Sequence, residues 1–235
     1  MKKHDVIIAC DFPTGQDALD FLSQFKVEKP FVKIGMELFY GEGPDIVRKL
    51  KAMGHDVFLD LKLHDIPNTV NKAMRNLAKL GVNMTNVHAA GTIDMMRAAK
   101  EGLAEGAQGE VPMLIAVTQL TSTSQERMQK ELLIPNTIEE TVAHYARNTQ
   151  QAGLDGVVCS PLEAGIVKKA CGTSFRTVTP GIRYPDGDVG DQSRITTPQK
   201  AREIGTDYIV VGRPITKAQD PVEAYRRVLR DFLGE

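Results

Sequence analysis

Val57-Phe58-Leu59-Asp60-Leu61-Lys62-Leu63-His64-Asp65-Ile66-Pro67-Asn68-Thr69 opens as an apolar strand and ends in a cluster of charges. Asp60 and Lys62 stand two residues apart. In a β-strand that spacing puts both side chains on one face, about 6.6 Å apart along the chain. Val57, Leu59 and Leu61 then face the opposite, apolar side. Asp65 follows beyond the strand end, where the backbone turns toward a helix. Two carboxylates and an ammonium within six residues are costly at the end of a buried strand, because each desolvated charge needs a partner. A surface ion pair in a loop is the plainer reading and is worth little. The functional reading is preferred because a second apolar strand, at 31–35, carries Lys33 in the same way.

Outward from this stretch, short apolar runs recur along the whole chain, at 6–10, 31–35, 57–61, 84–88, 113–118, 156–160, 177–179 and 208–212. Most are rich in Val and Ile and read as strands buried on both faces, as in a parallel sheet. Between them lie amphipathic patterns. Val70, Met74, Leu77 and Leu80 have helical spacing, with Gly81 as a stop. Similar faces are formed by Ala18, Leu22 and Phe25; Ile46, Val47 and Leu50; Met95, Met96, Ala99 and Leu103; and Ile138, Val142, Tyr145 and Thr149. Leu162, Ile166, Val167 and Ala170 form the sixth, 199–204 the seventh and 221–232 the eighth. Eight strands alternating with eight helices predict an α/β fold of the (β/α)₈ (TIM) barrel type, one domain across residues 1–235. A doubly wound sheet would usually show fewer repeats and a glycine-rich first turn, and no such turn follows the first strand.

In a (β/α)₈ barrel, chemistry sits at the C-terminal ends of the strands. The strand ends here carry Asp11, Lys33, Asp60 with Lys62, His88, the run Thr118-Gln119-Leu120-Thr121-Ser122-Thr123, Pro180-Gly181-Ile182-Arg183, and Gly212-Arg213-Pro214. Each alone is an ordinary loop residue; their joint convergence on one mouth is not explained by stability. Gly212 and Arg213 close the last strand, where such barrels often hold a phosphate, and a guanidinium fork matches phosphate oxygens. The loop 181–194 carries Gly187, Gly190, Asp186, Asp188, Asp191 and Gln192. It is longer than most strand-to-helix connections and reads as a lid, with Gln192 on the phosphate. The three aspartates fit a solvated turn equally well.

The chain of 235 residues has a formal net charge of −1, 42% hydrophobic and 25% charged residues. That balance, without a basic stripe, gives nucleic-acid binding no electrostatic support. The apolar runs are far short of a membrane span, and the first is too short for a signal-peptide core. Cys10, Cys159 and Cys171 lack metal-ligand spacing and read as reduced thiols of a cytoplasmic protein. A metal held by Asp60, His64, Asp65, Asp11 or His88 is disfavoured, because Lys33 and Lys62 already bring two cations to the same place. His64 and His88 read as hydrogen-bonded structural histidines.

Residues 60–69, with Phe31-Val32-Lys33-Ile34-Gly35, Gly190-Asp191-Gln192-Ser193-Arg194 and Val210-Val211-Gly212-Arg213-Pro214, resemble the signature of the orotidine 5′-phosphate decarboxylase family. The motifs run in the expected order from Asp11 to Arg213. The Asp-x-Lys-x-x-Asp core is shared with sister enzymes of the same barrel superfamily; His64, Pro67, Asn68 and Thr69 make the resemblance specific. It implies a cofactor-free lyase, with no metal, converting orotidine 5′-monophosphate to UMP and CO₂ in de novo pyrimidine biosynthesis. It further implies a homodimer with shared active sites. Lys33, Asp60 and Lys62 would come from one subunit, and Asp65 and Thr69 would reach into the partner's site. Asp11 and Lys33 would bind the ribose hydroxyls, and Thr123 would lie near the pyrimidine. Arg183, Gln192, Gly212 and Arg213 would hold the phosphate. Lys62 would stabilise and then protonate the ring carbanion, oriented by Asp60 and Asp65. Two other readings stand beside this one: a metal-dependent sugar-phosphate decarboxylase or synthase of the same superfamily, which a chelator would inhibit, and a catalytically inert nucleotide-binding barrel.

Overall fold

The computed structural model describes residues 4–184 and 196–234. Eight parallel strands, β1 (Asp5–Ala9), β2 (Phe31–Gly35), β3 (Val57–Leu63), β4 (Met84–His88), β5 (Met113–Val117), β6 (Gly156–Val158), β7 (Arg176–Thr179) and β8 (Tyr208–Val211), follow one another around a closed barrel. β8 returns to pair with β1, so no strand edge is left open. The (β/α)₈ architecture expected from the alternating pattern is the one observed.

The helices are α1 (Gly15–Ser23), α2 (Met36–Glu42), α3 (Asp45–Ala52), α4 (Pro67–Ala78), α5 (Thr92–Gly106), α6 (Gln125–Glu131), α7 (Ile138–Gln151), α8 (Ala164–Cys171), α9 (Pro198–Ile204), α10 (Arg213–Thr216) and α11 (Pro221–Leu233). Three of these exceed the eight expected. α2 and α6 each bury one side chain, Leu38 and Met128, and α10 buries Ile215. A single buried residue leaves no helical periodicity to read. Leu162 also departs from expectation: it lies in the turn before α8 and is exposed rather than part of that helix's apolar face.

Alternation along the strands sorts the core into two layers. Ile7, Phe31, Phe58, Met84, Ile115, Val178, Tyr208 and Val210 fill the barrel interior. Val6, Ile8, Val32, Ile34, Val57, Leu59 and Leu61 point outward, against Leu22, Phe25, Leu50 and Phe232 of the surrounding helices. Two residues beyond the inward apolar side chains come inward polar ones. Phe31 is followed by Lys33, Phe58 by Asp60 and Met84 by Asn86. The same period of two that builds the core therefore lifts a ring of polar groups to the C-terminal rim.

β3 is not a regular strand. Its pairing with β4 passes from Leu59↔Thr85 to Leu63↔Val87, so β3 advances four residues while β4 advances two. Lys62 absorbs the excess with a left-handed backbone (φ 53°). For a side chain with a Cβ this conformation costs roughly 1–2 kcal/mol. The expectation that Asp60 and Lys62 share a face holds, but through a bulge and not through simple alternation.

Candidate active site

A cavity of about 500 Å³ opens at the rim. Asp11, Lys33, Asp60, Lys62, Arg183, Gly212 and Arg213 all line it. The charges at its floor form a chain. Lys62 Nζ lies 2.6 Å from Asp60 Oδ1, Lys33 Nζ lies 3.5 Å from Asp60 Oδ2, and Lys33 Nζ also donates to Asp11 Oδ1 at 2.9 Å. Asp60 and Lys33 are each about nine-tenths buried, whereas Asp11 is more than half exposed. The cluster is therefore graded from solvent at Asp11 to enclosure at Asp60.

The electrostatics follow from that gradient. Burial would push the Asp60 carboxyl up, but Lys33, then Lys62 and the hydrogen bond from Asn86, hold it below the ordinary carboxylate range. Burial would likewise lower the Lys33 ammonium, but Asp60 and Asp11 raise it instead. Each ion keeps the other charged. Gly35 makes room for this array, since a Cβ there would stand 3.2 Å from both Asp11 Oδ1 and Lys33 Nζ.

At the side of the cavity formed by the last two strands, Arg183 is buried and Nη1 donates to the Ile182 carbonyl at 2.7 Å. Gly212 caps α10, which begins at Arg213, so a backbone turn and a guanidinium stand together. Gln192, with the rest of the 181–194 loop from residue 185 onward, lies outside the described residues.

Three candidates are not brought into this cavity. Asp65 and Thr69 are exposed, beyond the end of β3 and in the first turn of α4. The Asp65 carboxylate accepts from the Ile66 N–H at 2.6 Å, and Ile66 itself is exposed. Thr123 is half-buried after β5, its N–H donating to the Leu120 carbonyl, and is absent from the cavity lining. Thr121, two residues earlier, lines the cavity with Gln119. Thr216 and Lys217 also line it. Gln119 and Thr121 belong to the run after β5 already named at the strand ends, whereas Thr216 and Lys217, at the end of α10, carry no motif. Asn86 was legible in principle as a polar residue on the inward phase set by Met84.

His64 and His88 stack loosely, ring centroids 5.9 Å apart. Burial, then His64 and Lys62, lower the His88 imidazole and favour its neutral form. Cys10, Cys159 and Cys171 are buried, and burial pushes the Cys10 thiol up to about 12. Among the described residues, no group of three or more His, Cys, Asp and Glu side chains is placed to hold a metal ion, and no helix is long and apolar enough to cross a membrane.

Comparison with known proteins agrees with this geometry. The chain is 62% identical over 229 residues to orotidine 5′-phosphate decarboxylase of Enterococcus faecalis (strain ATCC 700802 / V583), covering 96% of this chain and 97% of the relative. It is 59% identical over 231 residues to the Bacillus cereus (strain AH820) protein of the same name, covering 97% of each. The crystal structure of orotidine 5′-phosphate decarboxylase from Lactobacillus acidophilus superposes with a TM-score of 0.88 at 43% identity, over 97% of this chain and 99% of that one. Residues 4–228 match the family described as orotidine 5′-phosphate decarboxylase / HUMPS, and the chain belongs to that family.

Proposed function

We propose that this chain, acting as a single barrel domain, decarboxylates orotidine 5′-monophosphate to UMP and CO₂ without a metal or cofactor. The observation that carries the reading is the Lys33–Asp60–Lys62 array in the same cavity as Arg183, Gly212 and Arg213. Breaking the bond from C6 to the carboxylate releases CO₂ and leaves the electron pair on C6. That carbanion has no ring position to delocalise it. The Lys62 ammonium stabilises it through space and donates a proton to C6, forming UMP; the resulting amine regains its proton from solvent. Asp60 holds Lys62 by the 2.6 Å contact and, in this reading, crowds the departing carboxylate. Asp11 and Lys33 take the ribose hydroxyls. Arg183, Gln192, Gly212 and Arg213 take the phosphate, whose binding energy is available to close the site.

The pyrimidine contact is assigned to the loop after β5, to Thr123 and to Thr121, the latter lining the cavity. Asp65 and Thr69 act in a partner's cavity within a homodimer. The outward placement of both, beside the exposed Ile66, supports this arrangement. The free, buried Cys10 and Cys171 are in keeping with the reducing cytoplasm as the working compartment.

The deciding experiment follows the absorbance of orotidylate with purified protein in excess chelator. Turnover at an undiminished rate is expected. Activity that appears only with a divalent cation on a sugar phosphate would favour the metal-dependent reading. For the shared site, mixing Lys62→Ala and Asp65→Ala chains should restore activity that neither variant has alone, since a hybrid dimer keeps one intact site.

A further inference from the structure

We propose that Asn86 is a positioning residue for the decarboxylation, fixing the Lys62 backbone and the Asp60 carboxylate relative to each other with one amide. This rests on the function proposed above. Asn86 is fully buried at the centre of β4, directly opposite the extra residues of β3. Its Oδ1 accepts from the Lys62 backbone N–H at 2.8 Å. Its Nδ2 donates to Asp60 Oδ1 at 2.7 Å, the same oxygen that takes Lys62 Nζ at 2.6 Å.

The two bonds do different work. Where β3 bulges, the ladder between β3 and β4 is interrupted, and the Lys62 N–H would be left without a carbonyl. A buried, unpaired N–H is costly, so the amide oxygen that replaces the carbonyl also holds the left-handed conformation at Lys62. The amide N–H then sets the rotation of the Asp60 carboxylate. With Oδ1 engaged by Asn86 and Lys62, Oδ2 is turned to Lys33. Only a group with a donor and an acceptor on one planar head, at this length, makes both contacts. An aliphatic residue makes neither. An ionised carboxylate keeps the acceptor, loses the donor, and sets a second negative charge against Asp60.

The test compares the wild type, Asn86→Ala and Asn86→Asp for turnover of orotidylate, for binding of UMP and across pH. In Asn86→Ala, kcat is expected to fall about 100-fold, the scale of a small misplacement of reacting groups, while UMP affinity changes by less than about threefold. Asn86→Asp supplies the readout that a purely structural role would not move. Near neutral pH the two facing carboxylates repel and activity is low. As pH falls, the pair takes up one proton, the introduced carboxyl becomes a donor to Asp60, and activity should rise where that of the wild type does not.

A wild type that turns over orotidylate while Asn86→Ala stays within about threefold of its kcat would overturn the positioning role alone. So would an Asn86→Asp profile parallel to that of the wild type, or equal losses of kcat and UMP affinity. A wild type inert toward orotidylate would remove the proposed function and this role with it. If Asn86→Ala does not fold, the pH profile of Asn86→Asp decides.

Discussion

Two buried aspartates at opposite ends of the barrel hold nearly the same set of charges. Asp60, at the rim, contacts Lys62 and Lys33. Asp207, just before β8 at the base, contacts Lys168 Nζ at 2.5 Å and Arg176 Nη1 at 3.2 Å. The difference lies in what else they bind. Asp207 also accepts from the Thr177 N–H at 2.8 Å and the Thr177 hydroxyl at 3.1 Å, and Lys168 Nζ donates onward to the Phe175 carbonyl. The Asp207 oxygens and Lys168 are committed to the protein, while Arg176 keeps part of its guanidinium toward the surface. At the rim, among the described residues, Asp60 Oδ2 has only the longer 3.5 Å contact with Lys33, and both lysines line the cavity. A closed ion cluster fastens strands together; one left open toward a cavity is available to a ligand.

The largest effect that would break this comparison is at the rim. Lys62→Ala should lower decarboxylation by about 10⁴-fold or more, because it removes both the stabilising charge and the proton donor. UMP binding should remain measurable and the unfolding temperature little changed. Turnover that survives this substitution would defeat the proton-donor assignment.

The base should behave in the opposite way. Asp207→Ala leaves the half-buried Lys168 and Arg176 without their shared counter-ion, and unfolding in urea should show a loss of about 2–3 kcal/mol. The fraction that remains folded should keep the wild-type kcat. A stable variant with damaged kcat would erase the distinction between the two ends.

Two glycines sharpen it further. At the base, a Cβ on Gly156 would stand 2.2 Å from the Arg176 carbonyl oxygen, so Gly156→Ala must move backbone and should cost about 1–3 kcal/mol. At the rim, a Cβ on Gly35 meets only the ends of Asp11 and Lys33, at 3.2 Å. Gly35→Ala should therefore raise KM while leaving stability nearly unchanged.

The smallest effect is in pH. His55, at the base, is fully buried, with Nδ1 2.9 Å from the Pro30 carbonyl and Nε2 without a partner among the described residues. Burial, then Lys29 and Lys51 against the opposing Pro30 and Asp56, lowers its pKa from 6.5. Its contribution to stability is present above pH 6.5 and is lost as pH falls through the lowered folded value. Asp60 is also lowered, from 3.8, so its contribution is lost only below that pH. Between about pH 6.5 and 4, stability should therefore decline through the histidines while the rim ions persist. His55→Gln should remove part of that slope and His88→Gln a further part; a slope indifferent to both would refute the assignment.

The alternating pattern determined the barrel, because each strand and each helix repeats its own period over enough residues to be read locally. The same period placed Lys33 and Asp60 at the ends of inward phases, and the turn after the last strand marked Gly212 and Arg213. Tertiary structure alone decided the rest. The bulge at Lys62 exists because β3 must carry two extra residues against β4, and Asn86 matters because it stands opposite them. Thr121 faces the cavity and Thr123 does not, through the curvature of a loop that has no period. Local sequence fixes which way a regular backbone points its side chains. Where the backbone is irregular, or where a contact joins residues distant in the chain, the direction is set by what packs against it.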